Sequence, residues 1–426
     1  MIAFASLFLG LIFGPRPVEV VVGEGVAAVE FRLDGTEVAR LESPPWIAPC
    51  DFGEQITPQL LEAVALDGQG REVGRVRQWL NLPQPQAVLS AVLEPHEDGQ
   101  RRVARVSWES SVGAEPKSVQ VALDGKPLSV PDPQRIELPA VDEEQLHLLN
   151  IEMEFDNRVT SRVDLTFGGS YADEVSTEMT AIPIAMVGKR GRAPSVQGVE
   201  SWFLKGEENL RVVAVEKEPM EVVFVMDRPF SRFFLPGEKQ KIPKSLNLED
   251  DHRMRFVASI PRESKGVSAN FELFPISRAY GSEIGNLYRL LTGMGRPPEN
   301  RPPRPAMAVA VAGLAAYESR RRRAVVLVPS TIRSDDSLDP ARVRAYLEDL
   351  RVPFFVWDPE SGSSERHRAW GSVKKVGSIK DLAAAFEELT EFLDRQWVVW
   401  IDGKHLPQEI RLSGEAKDFV LVDGAS

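Results

Sequence analysis

Asp227 closes the apolar run EVVFVM (Glu221–Met226), and Ser231 follows four positions later. A carboxylate and a hydroxyl are hard oxygen donors, of the kind that Mg²⁺ takes in octahedral coordination. A short continuous apolar run suits a strand buried on both faces of a parallel sheet. Its terminal aspartate then stands at the carboxyl end of the strand, where open α/β sheets hold their ligands. Asp335 and Asp336 are further loop carboxylates, beyond Ser330 and a second apolar strand.

Other chemistry-bearing residues do not converge. The histidines His96, His147, His252, His367 and His405 are scattered, and no HExxH, GxSxG or Walker pattern occurs. Gly168-Gly169-Ser170 reads as a turn, and Glu365-Arg366-His367 reads as a solvated loop after the Ser/Gly-rich stretch Ser361–Ser364. Adjacent carboxylates such as Asp250-Asp251 are too common to imply acid/base chemistry. The single cysteine, Cys50, excludes an intrachain disulfide and a cysteine zinc site, and reads as a buried thiol. These residues predict no catalytic centre and no cofactor.

The elements that must position Asp227 alternate strand and helix. Apolar strands are legible at Ala324–Val328, Pro353–Trp357 and Trp397–Ile401. Between them, Ala306–Arg320 is alanine-rich, Asp339-Pro340 supplies an N-cap followed by proline at the first helical position, and Ser378-x-x-Asp381 is a capping box. Leu382, Phe386, Leu389 and Leu393 then form one apolar helix face. Such alternation implies right-handed βαβ crossovers and a parallel sheet.

The N-terminal half has another rhythm. VEFRLDGTEV (Val29–Val38) and VQVALDGKPL (Val119–Leu128) both alternate apolar and polar residues and turn at Leu-Asp-Gly, 90 residues apart. Asp-Gly takes the positive φ angles of a tight hairpin, and the offset is about one β-sandwich domain. Leu61–Val76 and Asn150–Val163 correspond in the same way, with Pro44-Pro45 and Pro131-Asp132-Pro133 as crossings between sheets.

At 426 residues, with 43% hydrophobic and 27% charged content, the chain is an ordinary multidomain globular protein. A net charge of −12 argues against nucleic-acid binding. The run Arg320–Arg323 falls at a predicted helix end, where cations are favourable, and reads as a solvated cap. Residues 2–13, IAFASLFLGLIF, are too few to span a bilayer but suit the core of a secretory signal; a hydrophobic first strand is the other reading.

Two resemblances sharpen this outline. Asp34-Gly35, Pro44-Pro45-Trp46 and Ala65-Leu66-Asp67-Gly68-Gln69-Gly70 resemble the pattern of bacterial Ig-like domains, which serve as spacers or binding modules in exported proteins. Residues 178–426 resemble acidobacterial-type proteins with a von Willebrand factor type A (VWA) domain, through their element order and the ending Arg395–Ile401, RQWVVWI. The family takes its metal ligands from three loops. In its Asp-x-Ser-x-Ser motif Asp227 and Ser231 are kept and Pro229 stands for the first serine; Pro305 stands for a threonine and Ser330 for an aspartate. The resemblance therefore implies a degenerate site with no metal.

The expected architecture is two all-β Ig-like sandwiches followed by a doubly wound, Rossmann-type α/β domain of VWA character. Expected bounds are a signal segment at 1–16, sandwiches at 17–85 and 86–172, a small β module at 173–220, the α/β domain at 221–398 and a β segment at 399–426. The expected role is non-catalytic binding of a protein or cell-envelope component, periplasmic or secreted, with membrane proximity through the N-terminal segment. No nucleic acid or small-molecule cofactor is expected. The alternatives are a Mg²⁺-dependent VWA adhesion module with replacement ligands and a hydrolase.

Overall fold

The structure, a computed structural model, describes residues 2–6, 8, 10–23, 25–83, 87–95, 102–110, 115–142, 145, 147–155, 160–168, 179–188, 193–226, 252–261, 274–281, 302–329, 338–358 and 368–422. About half of them are in β-strands, far more than are helical. The first sandwich comprises β1 (Ile2–Phe4), β2 (Pro15–Val22), β3 (Ala28–Leu33), β4 (Thr36–Leu41), β5 (Ile47–Asp51), β6 (Gln59–Leu66) and β7 (Glu72–Leu80). The second comprises β8 (Ala87–Pro95), β9 (Arg102–Ser110), β10 (Ser118–Leu123), β11 (Lys126–Leu128), β12 (Arg135–Glu137), β13 (His147–Glu154) and β14 (Thr160–Phe167).

The two share one topology. Sheets ordered β1-β2-β5 and β4-β3-β6-β7 in the first recur as β8-β9-β12 and β11-β10-β13-β14 in the second. Each alternating strand turns one face to a closed apolar core, around Phe31 and Phe52 in the first and around Phe155 and Phe167 in the second. Cys50 is part of the first core, and burial pushes its thiol up to about 11. The Leu-Asp-Gly turns match in detail. Asp34 and Asp124 have φ of 50° and 51°, and Gly35 and Gly125 have 78° and 75°. Each aspartate also accepts an N–H from the next long strand, Leu60 at 2.7 Å and Leu148 at 2.9 Å.

This repeat gives the N-terminal apolar segment a place. β1 pairs with β2 (Ile2↔Val22) as β8 pairs with β9. Ile12 is buried and joined to Asn81 twice: its N–H donates to Oδ1 at 2.7 Å and its carbonyl accepts from Nδ2 at 2.9 Å. The described residues of this segment thus pack on the first sandwich, in the manner of the second reading, a hydrophobic first strand.

β15 (Met179–Met186), β16 (Phe203–Lys205), β17 (Glu208–Asn209) and β18 (Val212–Glu216) precede the α/β unit. That unit holds β19 (Met220–Met226), β20 (Arg253–Val257), α1 (Pro305–Glu318), β21 (Arg322–Val328), α2 (Pro340–Asp349), β22 (Phe354–Asp358), β23 (Val373–Lys375) and α3 (Ile379–Asp394). The chain ends through β24 (Gln396–Asp402), β25 (Ile410–Leu412) and β26 (Phe419–Leu421).

The α/β sheet is parallel throughout, in the order β20-β19-β21-β22-β23. Val223, Val225, Val325 and Leu327 face α1 and α2; Val222, Phe224, Ala324 and Val326 face α3. Two covered faces explain the unbroken apolar runs. The expected caps form: Asp339 accepts from Ala341 N–H at 2.9 Å, and Ser378 accepts from Asp381 N–H at 3.2 Å. Among the described residues no helix is long and apolar enough to cross a membrane.

One strand departs from expectation. Trp397–Ile401 was expected in the α/β half, but β24 lies inside an antiparallel sheet ordered β18-β24-β15-β26. Val399 and Ile401 face one core and Val398 and Trp400 another, so the run is apolar for the same reason as a parallel strand. The segments expected as a separate β module and a C-terminal β segment are thus one body, with the α/β unit inserted between them.

α1 and α2 approach closely at Gly313, where a Cβ would lie 2.1 Å from Leu347 Cδ2. Gly313→Ala gains about 1 kcal/mol of helix propensity but must part the helices, so urea unfolding should show a net loss of about 1–3 kcal/mol. Leu347→Ala in the same chain should recover part of it. A second expectation concerns His147, whose Nδ1 lies 2.8 Å from Asp124 Oδ2 and Nε2 2.8 Å from the Asp142 carbonyl. Only an imidazolium can donate to both. Burial opposes the charge, but the Asp124 bond and the Asp142 carbonyl prevail and raise the pKa. A raised folded-state pKa means stabilisation that is complete below the unfolded value of about 6.5 and fades as pH climbs through the folded value. Melting temperatures from pH 5.5 to 9 should fall more steeply for the natural chain than for His147→Gln.

Candidate functional site

The parallel sheet has two edges with different chemistry. At the carboxyl edge, the strand order places β19 beside β21 with β20 outside, which makes the crevice after these two strands the switch point of a doubly wound sheet. Ser259 N–H reaches the Met226 carbonyl at 3.4 Å, and Arg304 N–H reaches the Ser259 carbonyl at 2.7 Å. These bonds bring the start of α1 to the end of β19. Pro305 is the first residue of α1. It offers neither a hydroxyl nor an N–H. Asp227, Pro229, Ser231, Ser330, Asp335 and Asp336 lie outside the described residues. Among the described residues no group of three or more His, Cys, Asp or Glu side chains is placed to hold a metal ion.

The amino edge carries a dense charge network that the sequence reading missed. Helices of a parallel α/β unit return their carboxyl ends to this edge, so carbonyls collect there and cations are favoured. Arg320–Arg323 meets them, which corrects the expectation of a solvated run. After α1 the chain reverses through Arg320, at φ 54°, and enters β21 at once. Arg322 is buried; its Nε donates to the Glu218 carbonyl, and its Nη1 to the Leu393 carbonyl at 3.1 Å and Asp394 Oδ1 at 2.8 Å. Arg323, also buried, lies over the Tyr317 ring at 4.8 Å and donates to the Leu350 carbonyl at 3.3 Å. Burial pulls its guanidinium down to about 10.

Arg320 leaves the α/β unit for the second sandwich. Its Nη1 donates to Asp164 Oδ2 at 2.6 Å, while Asp164 Oδ1 accepts from Arg162 Nε and Asn150 Nδ2, both at 2.7 Å. The Asp164 side chain is only 1% exposed. Burial alone would raise its pKa; the charges of Arg162 and Arg320 override burial and hold it low. Arg162 stacks on Trp400 of β24 at 4.4 Å, and Trp400 Nε1 donates to Glu216 Oε2 at 2.8 Å. Burial first, then Glu218, pushes the Glu216 carboxyl well above the ordinary range. Period-two alternation in β14 places Arg162 and Asp164 together, on the face away from Val163 and Leu165 of the sandwich core.

Above this network lies a cavity of about 270 Å³ between the second sandwich, β15 with its neighbouring Lys404–His405 loop, and the α/β unit. Arg253, Arg255, Glu221 and Arg321 contribute from the α/β side. Glu221 is fully buried and lies 3.1 Å from Arg255 Nε.

No family model and no curated protein matches the sequence. Among solved structures the chain is similar to the fibronectin(III)-like modules of Clostridium thermocellum CbhA, at 18% identity over 39% of this chain and 93% of that one, with a TM-score of 0.16. It is also similar to the central fibronectin-III array of RIM-binding protein, at 8% identity over 47% and 83%, with a TM-score of 0.20. A third likeness is to Parabacteroides merdae β-glucuronidase, at 13% identity over 39% of this chain and 24% of that one, with a TM-score of 0.18. Likenesses this slight carry no argument about the chain.

Removing one partner from a buried, hydrogen-bonded charge cluster leaves the others uncompensated and costs about 3–5 kcal/mol. Asp164→Ala, which strands Arg162 and Arg320, should therefore destabilise the protein by about that amount in chemical denaturation. Arg71→Ala, on an exposed pair with Asp67, should leave stability nearly unchanged.

Proposed function

We propose that this chain is a non-catalytic, exported binding protein in which a VWA-like α/β unit with replaced metal-ligand positions is carried on β-sandwiches. Its partner is another protein or a cell-envelope component, bound at the carboxyl edge of the parallel sheet. Pro305 carries this reading: it starts α1 beside the end of β19, where the VWA resemblance expects a threonine hydroxyl. Pro229 and Ser330 are the further replacements in the sequence. One carboxylate and one serine leave most of a divalent ion's coordination to water.

A ligand that favours the folded state stabilises it by about 2.7 kcal/mol at a hundredfold excess over Kd. Millimolar Mg²⁺ should therefore leave the melting temperature unchanged, for the natural chain and for Asp227→Ala alike, and partner capture should persist in EDTA. A Mg²⁺-dependent rise in melting temperature that vanishes in Asp227→Ala would overturn the reading in favour of a metal-dependent adhesion module.

A further inference from the structure

Two acidic side chains meet beside Trp400. Glu216 stands on β18 opposite Val398 of β24, and Trp400 lies two residues along β24 on the same face. The fully buried Trp400 donates its Nε1–H to Glu216 Oε2 at 2.8 Å. The Glu216 carboxyl is in turn hydrogen-bonded to the Glu218 carboxyl. An ionised carboxylate only accepts, so two carboxyls can be hydrogen-bonded only while one of them holds a proton. The cations around the pair have other partners. Arg162 of β14 attracts both carboxyls, but it is bound to Asp164 and stacked on Trp400. Arg320 also holds Asp164 and lies 6.0 Å from the Trp400 ring. Arg321 attracts Glu218 and, more strongly, Glu221 and Glu152. Arg322 meets Glu218 only at its backbone carbonyl, and Lys217 lies over Trp397 at 5.4 Å. Burial first, then the hydrogen bond and charge of Glu218, push the Glu216 carboxyl up to about 8.

We propose that Glu216 and Glu218 form a proton-operated latch between the second sandwich and the β18-β24-β15-β26 sheet, closed while the pair shares a proton and released when that proton passes to solvent. Loss of the proton leaves two adjacent carboxylates in a largely dry site, where like charges repel. Glu216 then turns from Glu218 toward solvent, and the buried Trp400 N–H loses its acceptor. The Arg162 stack that ties β14 to β24 loses its fixed base with it. The latch is at the opposite edge of the parallel sheet from the proposed partner surface, so either reading can fail without the other.

The test follows melting temperature and hydrogen exchange of the full chain from pH 5 to pH 9. A folded-state value above the unfolded one of about 4.3 means that stability declines as pH climbs between the two and levels off above the folded value. Glu216→Gln keeps an acceptor for Trp400 and a donor for Glu218 but has no proton to lose. It should melt at least about 2 °C above the natural chain near pH 9, with the gap closing toward pH 5. The His147 contribution is common to both chains and cancels in the difference. A second measurement needs no substitution. Exchange in peptides of β14 and β24, corrected for its intrinsic pH dependence, should rise between pH 7 and pH 9 in the natural chain, and Glu216→Gln should abolish the rise. The proposal is overturned if the two melting curves run parallel, if exchange in these strands of the natural chain does not rise, or if it rises equally in Glu216→Gln.

Discussion

Burying the Asp164 carboxylate is the constraint on which the assembly turns. A lone carboxylate out of water costs several kcal/mol, and this one is held by three donors from β13, β14 and the end of α1. The donor Arg162 spends its flat face on Trp400, and Trp400 spends its N–H on Glu216. Sandwich, α/β unit and inter-unit sheet therefore meet through one chain of polar contacts, each link needing the next. Apolar burial drives the separate units to fold, but it is indifferent to how they sit. The charge network fixes their mutual orientation, because the penalty for an unpaired buried charge exceeds the net worth of any single bond.

A second tie runs on the other side. Asn81, at φ 55°, takes the backbone of Ile12 with its side chain, and its own carbonyl accepts the Tyr346 hydroxyl of α2 at 2.7 Å. Gln408 Nε2 reaches the Pro58 carbonyl at 2.7 Å. The α/β unit is thus clasped by both sandwiches on its amino and flanking surfaces, while the ends of β19 and β21 point away from Asp164. The sheet's two edges are divided in role: one is committed to assembly, the other is the switch-point edge.

Local signals were legible. The Leu-Asp-Gly turns, the Asp339 and Ser378 caps, the apolar face of α3 and the strand runs all lie where sequence periodicity and cap chemistry place them. What remained hidden depends on distant partners. The WVVWI run (Trp397–Ile401) is apolar because both faces are covered, and nothing in the run says by which sheet. The N-terminal apolar stretch suits a leader by its length, and only the matching strand order of the second sandwich shows β1 a strand partner. Arg322 and Arg323 look solvated because their acceptors, carbonyls at Leu393 and Leu350, are backbone groups that any residue carries. Of the candidate site, only Pro305 falls among the described residues.

The inserted position of the α/β unit has a consequence for synthesis. β15 and β18 leave the ribosome well before β24, the strand that pairs with both, since Met179 faces Asp402 and Val212 faces Ile401. Until then their edges are unpaired and open to wrong partners. The intervening unit has its own parallel sheet and helices, so its completion brings the two flanking strands to neighbouring points and shortens the effective loop to be closed. Vectorial order thus makes the α/β unit a clasp for the sheet that encloses it, and a nascent chain that ends before Gln396 leaves the edges of β15 and β18 open to wrong partners.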